Sequence, residues 1–219
     1  MRQKITPSQK ALNLWAIILI VWSVYRIKFQ LPEWFDEFIA KPLVFVLPVF
    51  LYIRKIEKQS FFEGIYLRIQ YVIKDLQFVG LIAIVFLLSA ILANFIKNQS
   101  FSLFPFRLLP LNLVLYGFIV AMATGFSEEV LSRGFVLKRL YKESNNIITS
   151  SFLASVLFLF LHIPILFTSV KISGNILLVF IATDLILSFT NSLIFLERKS
   201  LTLPIFIHAL YNFSIILFI

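Results

Sequence analysis

The sequence predicts an all-α fold, a polytopic membrane helical bundle of about seven transmembrane helices, within a range of six to eight. Of the 219 residues, 60% are hydrophobic and 14% are charged, whereas soluble domains are about 45–50% apolar and about 25% charged. Apolar segments that approach the roughly 20 residues needed to cross a bilayer recur along almost the whole chain. We therefore expect residues 1–219 to form a single membrane-embedded domain.

The expected spans follow one another with short connections. They cover residues 12–27, 38–53, 78–96, 111–122 with a continuation through the charged stretch that follows, 147–167, 176–196 and 203–219. The second span is the weakest, because it is short and contains Pro42 and Pro48, which would tilt it, kink it or make it re-entrant. Residues 56–76 carry basic side chains between aromatic and aliphatic ones, so we expect them to lie along the cytoplasmic membrane surface.

The charge distribution predicts how the chain is oriented. The first span follows basic residues as a signal peptide does, but no small-residue cleavage site follows it, so we interpret it as a retained helix. The connections on the same side of the membrane as the N-terminus carry about twice as many lysines and arginines as those on the opposite side. Lys41 is counted on the opposite side. The positive-inside rule then predicts a cytoplasmic N-terminus and an external C-terminus.

Charge and cysteine content exclude several functions. The formal net charge is +9, but the basic residues are scattered among short connections, which is typical of a membrane protein and not of a nucleic-acid-binding protein. The absence of cysteine excludes disulfides, thiolate metal sites and cysteine nucleophiles. We expect membrane lipid and a peptide or protein substrate as partners, and no nucleic acid; the sequence does not predict an oligomeric state.

A small set of ionisable side chains falls within the apolar segments, where each is costly and needs a partner or a function. They are Glu128, Glu129, Arg133, His162, Asp184 and His208, and they include both histidines of the chain. Asp184 has no predicted role: it would pair with Arg133 or His208, face a water-filled cavity, or be a buried carboxyl group with hydrogen bonds of its own.

The stretch GFSEEVLSRGF holds three of these residues. Glu129 and Arg133 are four residues apart and share a helix face, so we expect them to form an ion pair. Glu128 is turned about 100° from Glu129 and points elsewhere. It is then left for chemistry or for another helix, although a purely structural clamp between helices would use the same residues.

The two histidines and Asn212 extend this set. His162, His208 and Asn212 would each serve as ordinary hydrogen-bonding residues between helices, but Glu128 and the two histidines lie at similar depth on three helices and can converge. A carboxylate and an imidazole can activate water, and a second imidazole with an amide can stabilise an oxyanion. The same carboxylate and imidazoles would alternatively hold a divalent metal with a position open for water.

The spacing of these residues resembles the CPBP (Abi, or CAAX-protease-like) family of intramembrane proteases. This family includes type II prenyl-protein endopeptidases and bacterial bacteriocin-processing or immunity proteins, and its motifs are EExxxR, FxxxH and HxxxN or HxxxD. Here they are, in chain order, Glu128-Glu129-x-x-x-Arg133, Phe158-x-x-x-His162 and His208-x-x-x-Asn212. The resemblance covers the motif-bearing core, residues 111–219, and Gly134 after the arginine also fits it.

The resemblance implies a division of roles among the motif residues. Glu128 and His162 would activate the water, while His208 and Asn212 would stabilise the oxyanion. Members are usually called metalloproteases, so a divalent metal such as zinc would be held by Glu128, His162 and His208 if one is required.

Glu129 and Arg133 would be supporting residues in the same scheme, which agrees with the ion pair expected from their spacing. Their role is then to position the neighbouring Glu128.

These observations predict an intramembrane endopeptidase acting on a small hydrophobic, secreted or lipidated peptide. Richness in Phe, Ile, Leu, Lys and Asn favours a bacterial source and hence the plasma membrane, with bacteriocin immunity or peptide maturation as the setting. The alternative is a non-catalytic binding or immunity protein with the same polar core. A proton-coupled transporter is the third hypothesis, but the sequence has no repeated halves of the kind that transporters show.

Overall fold

The computed structural model describes residues 5–68, 75, 77–82, 84, 88, 95, 110–168 and 174–218. Within these ranges the chain is helical apart from short connections, and no strand occurs there. The predicted all-α membrane bundle is confirmed. Most of the third predicted span, residues 78–96, lies outside the described residues.

Seven helices are labelled in chain order. They are α1 (Pro7–Lys28), α2 (residues 33–57), α3 (Phe61–Gly64), α4 (Leu111–Ser144), α5 (Ile147–Thr168), α6 (Gly174–Arg198) and α7 (Thr202–Phe218). Four described helical segments are long and apolar enough to cross a membrane: Pro7–Lys28, Leu111–Ser144, Ile147–Pro164 and Phe180–Arg198. Thr202–Ile216 is apolar but shorter. Seven spans therefore remains a prediction.

Helix α2 is longer than the predicted span and contains widened turns. The backbone N–H of Lys41 donates to the carbonyl of Asp36, and that of Leu47 donates to the carbonyl of Pro42, so both bonds close over five residues. Such π-turns occur frequently at functional sites. Helix α4 contains a similar stretch over Val130–Leu137, directly after Glu129. Both widened stretches adjoin the polar core.

Close packing of α4 against α7 brings their polar residues together. A Cβ atom added at Gly125 would lie 3.0 Å from the carbonyl oxygen of Ile205 and 3.2 Å from the backbone nitrogen of Ala209. A side chain at this position would push the two backbones apart by a few tenths of an ångström, so glycine permits the close approach. The contact lies three residues before Glu128 and one residue from His208, so it sets these two side chains beside each other.

The segment predicted to lie on the membrane surface divides into two described parts. Residues 56–57 end α2, while α3 folds against the end of α4, where the Lys138 ammonium donates to the carbonyl oxygens of Glu63 and Gly64, each at 2.9 Å. Residues 69–74 and 76 lie outside the described part. Contact of this segment with lipid and the cytoplasmic position of the N-terminus remain predictions.

Candidate active site

The converging residues are contributed by four helices. Glu128 and Glu129 lie in α4, His162 in α5, Asp184 in α6 and His208 in α7. Glu128 exposes 4% of its surface, Glu129 none and His208 3%, whereas the His162 side chain is 17% exposed. The set is buried within the bundle, and His162 is its most accessible member.

The two carboxylate oxygens of Glu128 have different surroundings. Oε1 accepts a hydrogen bond from the Lys41 ammonium at 2.7 Å. Oε2 lies 3.6 Å from Nε2 of His162 and 3.6 Å from Nε2 of His208, too far for direct hydrogen bonds. No described residue hydrogen-bonds to Oε2. One oxygen is therefore fixed, and the other faces two imidazoles that approach it without bonding to it.

Glu129 is held by several donors at once. Its Oε1 accepts from Nη1 of Arg133 at 2.9 Å and lies 2.9 Å from Nδ1 of His208 and 3.3 Å from Nδ2 of Asn191. The ion pair expected from the four-residue spacing is present. Because its partners lie in α4, α6 and α7, Glu129 links three helices as well as neutralising Arg133.

Arg133 extends this link through its remaining donors. Its Nη2 donates to the carbonyl oxygen of Ser188 at 3.0 Å and to the Ser188 hydroxyl at 2.7 Å. The guanidinium also lies 4.4 Å from the ring centroid of Phe158, within the range of a cation–π interaction. Phe158 belongs to the FxxxH motif, so the arginine ties the motifs of α4 and α5 together.

Each imidazole has a carboxylate behind its Nδ1 atom. For His208 this is Glu129, at hydrogen-bond distance, and for His162 it is Asp184, whose Oδ2 lies 3.8 Å away. The His162 Nδ1 atom is also 3.3 Å from the carbonyl oxygen of Phe158. A carboxylate behind a functional histidine fixes its ring orientation and tautomer. The sequence analysis did not predict this position of Asp184 beside His162.

Asn212 lies one turn beyond His208 on α7. It lines a cavity of about 190 Å³ between α2, α4 and α7, whose walls also include Glu33, Glu37, Val120 and Thr124. Its side chain makes no hydrogen bond to Glu128 or to either histidine among the described residues. The structure thus brings three of the four predicted catalytic residues together and leaves Asn212 beside them, in this cavity.

The sequence analysis missed a further charged group. Lys41 was counted as a charge of an external connection, but it exposes only 3% of its surface and bonds to Glu128 and Glu37. Its place within the predicted span 38–53, four residues after Glu37, was the signal that could have revealed it. A lysine inside a span needs a partner for the same reason as the six residues identified there.

A divalent metal held by Glu128, His162 and His208 does not fit these residues as they stand. No group of three His, Asp or Glu side chains in the described part of the chain is placed to hold a metal ion. The Lys41 ammonium, 2.7 Å from Glu128, would also repel a second cation bound to the same carboxylate.

Comparison with known proteins agrees with the motif-based resemblance. Residues 110–214 match the family model described as type II CAAX prenyl endopeptidase Rce1-like. The chain carries a CAAX-protease-like core. No curated protein and no solved structure matches the chain significantly. The matched region contains every motif residue, and it excludes both α1 and α2, the helix that contributes Lys41.

Proposed function

We propose that this integral membrane protein is an endopeptidase that hydrolyses a peptide bond near the membrane, with water activated by Glu128 and His162. The observation that carries the proposal is the surroundings of Glu128 Oε2. This buried oxygen has no hydrogen bond from a described residue and lies 3.6 Å from Nε2 of each histidine. A carboxylate and an imidazole that can both contact the same water molecule are suited to remove a proton from it.

The reaction follows from these positions. Water hydrogen-bonded to Glu128 Oε2 and His162 Nε2 attacks the scissile carbonyl carbon and gives its proton to this pair. The carbonyl oxygen becomes an oxyanion, and the same proton is later transferred to the leaving amine as the carbon–nitrogen bond breaks. Each group returns to its starting state, and no step passes through a metal.

His208 is suited to stabilise the oxyanion because it is held in advance. Its Nδ1 atom lies 2.9 Å from Glu129, and a carboxylate in that position stabilises the imidazole when both of its nitrogens carry protons. Nε2 can then donate to the oxyanion, and the Asn212 amide supplies a second donor from the next turn. Donors fixed before the reaction are the most effective stabilisers of developing charge.

The substrate we propose is a small hydrophobic, secreted or lipidated peptide. Two features support this class: the site is enclosed by apolar helices, and the matched family model is that of prenyl endopeptidases. We further propose a bacterial plasma membrane with the N-terminus in the cytoplasm, and peptide maturation or bacteriocin immunity as the setting.

A second candidate is a non-catalytic membrane binding or immunity protein. The observation that favours it is the buried ion pair between Lys41 and Glu128, since a structural clamp would be built in the same way. The two candidates differ over Glu128→Gln. This nearly isosteric change removes the base but can keep the hydrogen bond from Lys41, so a binding function would survive it and a hydrolytic function would not.

The deciding experiment compares peptide termini by mass spectrometry, in membranes and in the medium. Cells expressing the wild type and Glu128→Gln at equal levels are the two samples. We expect a set of termini that occurs only with the wild type, which would identify the substrate. Identical termini in both samples, together with an unchanged phenotype, would reject proteolysis in favour of binding.

A further inference from the structure

Lys41 is a buried cation that the proposed reaction leaves unused. It lies in α2, and its Nζ atom is 2.7 Å from Glu128 Oε1 and 2.6 Å from Glu37 Oε1. Its side chain is only 4% exposed. A lysine is almost never fully buried unless it is paired, so these two bonds account for its position.

The contacts of Lys41 continue into a short network. Glu37 accepts a hydrogen bond from the Thr124 hydroxyl at 2.7 Å through its Oε2 atom, and Thr124 lies one turn before Glu128 on α4. Lysine, glutamate and threonine thus connect α2 and α4 at two successive turns. The network fixes Lys41 relative to Glu128 from two directions.

Helix α2 is itself held in place next to these residues. Asp36, the neighbour of Glu37, accepts a hydrogen bond from the Tyr25 hydroxyl at 2.5 Å and forms an ion pair with Arg26, both in α1. The Trp22 ring of α1 also lies 6.0 Å from the Lys41 ammonium. Rotation of α2 would break these contacts, so the position of Lys41 is determined by the N-terminal helices.

From this geometry we propose that Lys41 is a positioning residue for Glu128, and the inference rests on the proposed function. By binding Oε1, the ammonium fixes the plane of the carboxylate and directs Oε2 toward the two histidines. Its positive charge also stabilises the buried Glu128 carboxylate, which is shielded from solvating water. The residue lies outside the region matched by the family model, residues 110–214, so the N-terminal helices complete the site.

The Lys41 ammonium already occupies the position beside Glu128, the carboxylate that a metal would need as a ligand. We therefore expect cleavage by the purified full-length protein to be unaffected by EDTA. A loss of cleavage in EDTA that zinc restores would overturn this part of the inference.

The test uses Lys41→Met, which retains most of the side-chain length without the charge, in the full-length protein. Lys28→Met is the matched control, because Lys28 is an exposed lysine at the end of α1. With the peptide identified from the wild-type termini as substrate, we expect kcat to fall about 10- to 100-fold in Lys41→Met, as when other orienting residues are removed. KM should not change, because Lys41 contacts Glu128 and not the substrate.

A thermal unfolding cycle tests the contact without any substrate. Lys41→Met should lower the unfolding temperature clearly in the wild type and much less in a Glu128→Gln background, since the pair is already weakened there. An equal shift in both backgrounds would overturn the inference, as would an unchanged kcat or a rise in KM alone. If the wild type cleaves nothing, the proposed function fails, while the cycle still decides whether Lys41 holds Glu128.

The single variant leaves two buried carboxylates without their cation and has a risk of not folding. In that case Lys41→Met combined with Glu37→Gln replaces the single variant. The second substitution removes one of the two unpaired negative charges, that of Glu37. We expect the folded double variant to show the same loss of kcat. Wild-type kcat in this protein would overturn the inference.

Discussion

The two sides of the site differ in how firmly they are held. On one side, His208 is 3% exposed and its Nδ1 atom lies 2.9 Å from Glu129, which is itself bound to Arg133. On the other, the His162 side chain is 17% exposed, and the carboxylate behind its Nδ1 atom, Asp184, is 3.8 Å away. Both rings nevertheless present Nε2 to the same oxygen of Glu128 at the same distance.

This difference matches two kinds of chemical work. A group that stabilises an oxyanion is most effective when it is fixed beforehand, which describes His208. A group that shares a proton with water need only come within reach of it during the reaction, which describes His162. The proposed division of roles thus follows from the surroundings of the rings as well as from the motifs.

The largest expected effect is on the loosely held side. His162→Ala should reduce the rate of peptide cleavage by about 10²- to 10⁴-fold, the usual contribution of a general acid or base. The thermal unfolding temperature should change little, because the ring makes few close polar contacts. His208→Ala is the comparison: it should lower both the cleavage rate and the unfolding temperature. A His162→Ala protein that still cleaves would refute the assigned mechanism.

The next effect concerns the stability of the firmly held side. Arg133→Met leaves the fully buried Glu129 without its cation, and breaking a buried pair in this way costs about 3–5 kcal/mol. Chemical denaturation followed by circular dichroism would measure the free energy of unfolding. Arg54→Met is the control, since Arg54 is an exposed arginine on α2. Equal losses in the two variants would remove the distinction between a buried and an exposed arginine.

A third prediction concerns the second oxyanion donor. Asn212→Ala should lower kcat by about 10²- to 10³-fold, as the loss of one such donor does elsewhere, without changing the unfolding temperature. Ser214→Ala, two residues further along α7, is the control and should be as active as the wild type. Should Asn212→Ala keep its full kcat, His208 would have to act without it.

The smallest expected effect is at Asp184. Its contact with His162 is long, so Asp184→Asn should reduce cleavage only about tenfold, toward the low end of what a residue behind a functional histidine contributes. Glu129→Gln, behind His208, should be more damaging in both rate and stability. Steady-state cleavage rates of the two variants would rank them, and the reverse ranking would invert the comparison between the two sides.

Sequence patterns predicted what depends on neighbours along the chain. The apolar runs located α1, α5, α6 and α7 to within a few residues, and the four-residue spacing gave the pair of Glu129 and Arg133. The span predicted over 111–122 does continue through the charged stretch, and the helix runs on to Ser144, because several charged and polar residues beyond position 122 are satisfied inside the bundle.

What the sequence could not predict are contacts between distant segments. Lys41 and Glu128 are 87 positions apart, and nothing in the spacing of either residue identifies the other. The widened turns near Asp36 and Pro42 likewise alter which side chains face the core, and no simple helical periodicity anticipates them. Asp184 lacked a predicted role for the same reason, since its neighbour His162 lies on another helix.

The central claim is that Glu128 acts on water while its neighbour Glu129 holds the site together. The most direct measurement compares Glu128→Gln with Glu129→Gln as purified proteins, recording peptide cleavage and thermal unfolding for each. We predict that Glu128→Gln loses cleavage with only a small fall in unfolding temperature, because Glu37 still pairs with Lys41, whereas Glu129→Gln unfolds at a clearly lower temperature. Retained cleavage in a folded Glu128→Gln protein would contradict the account.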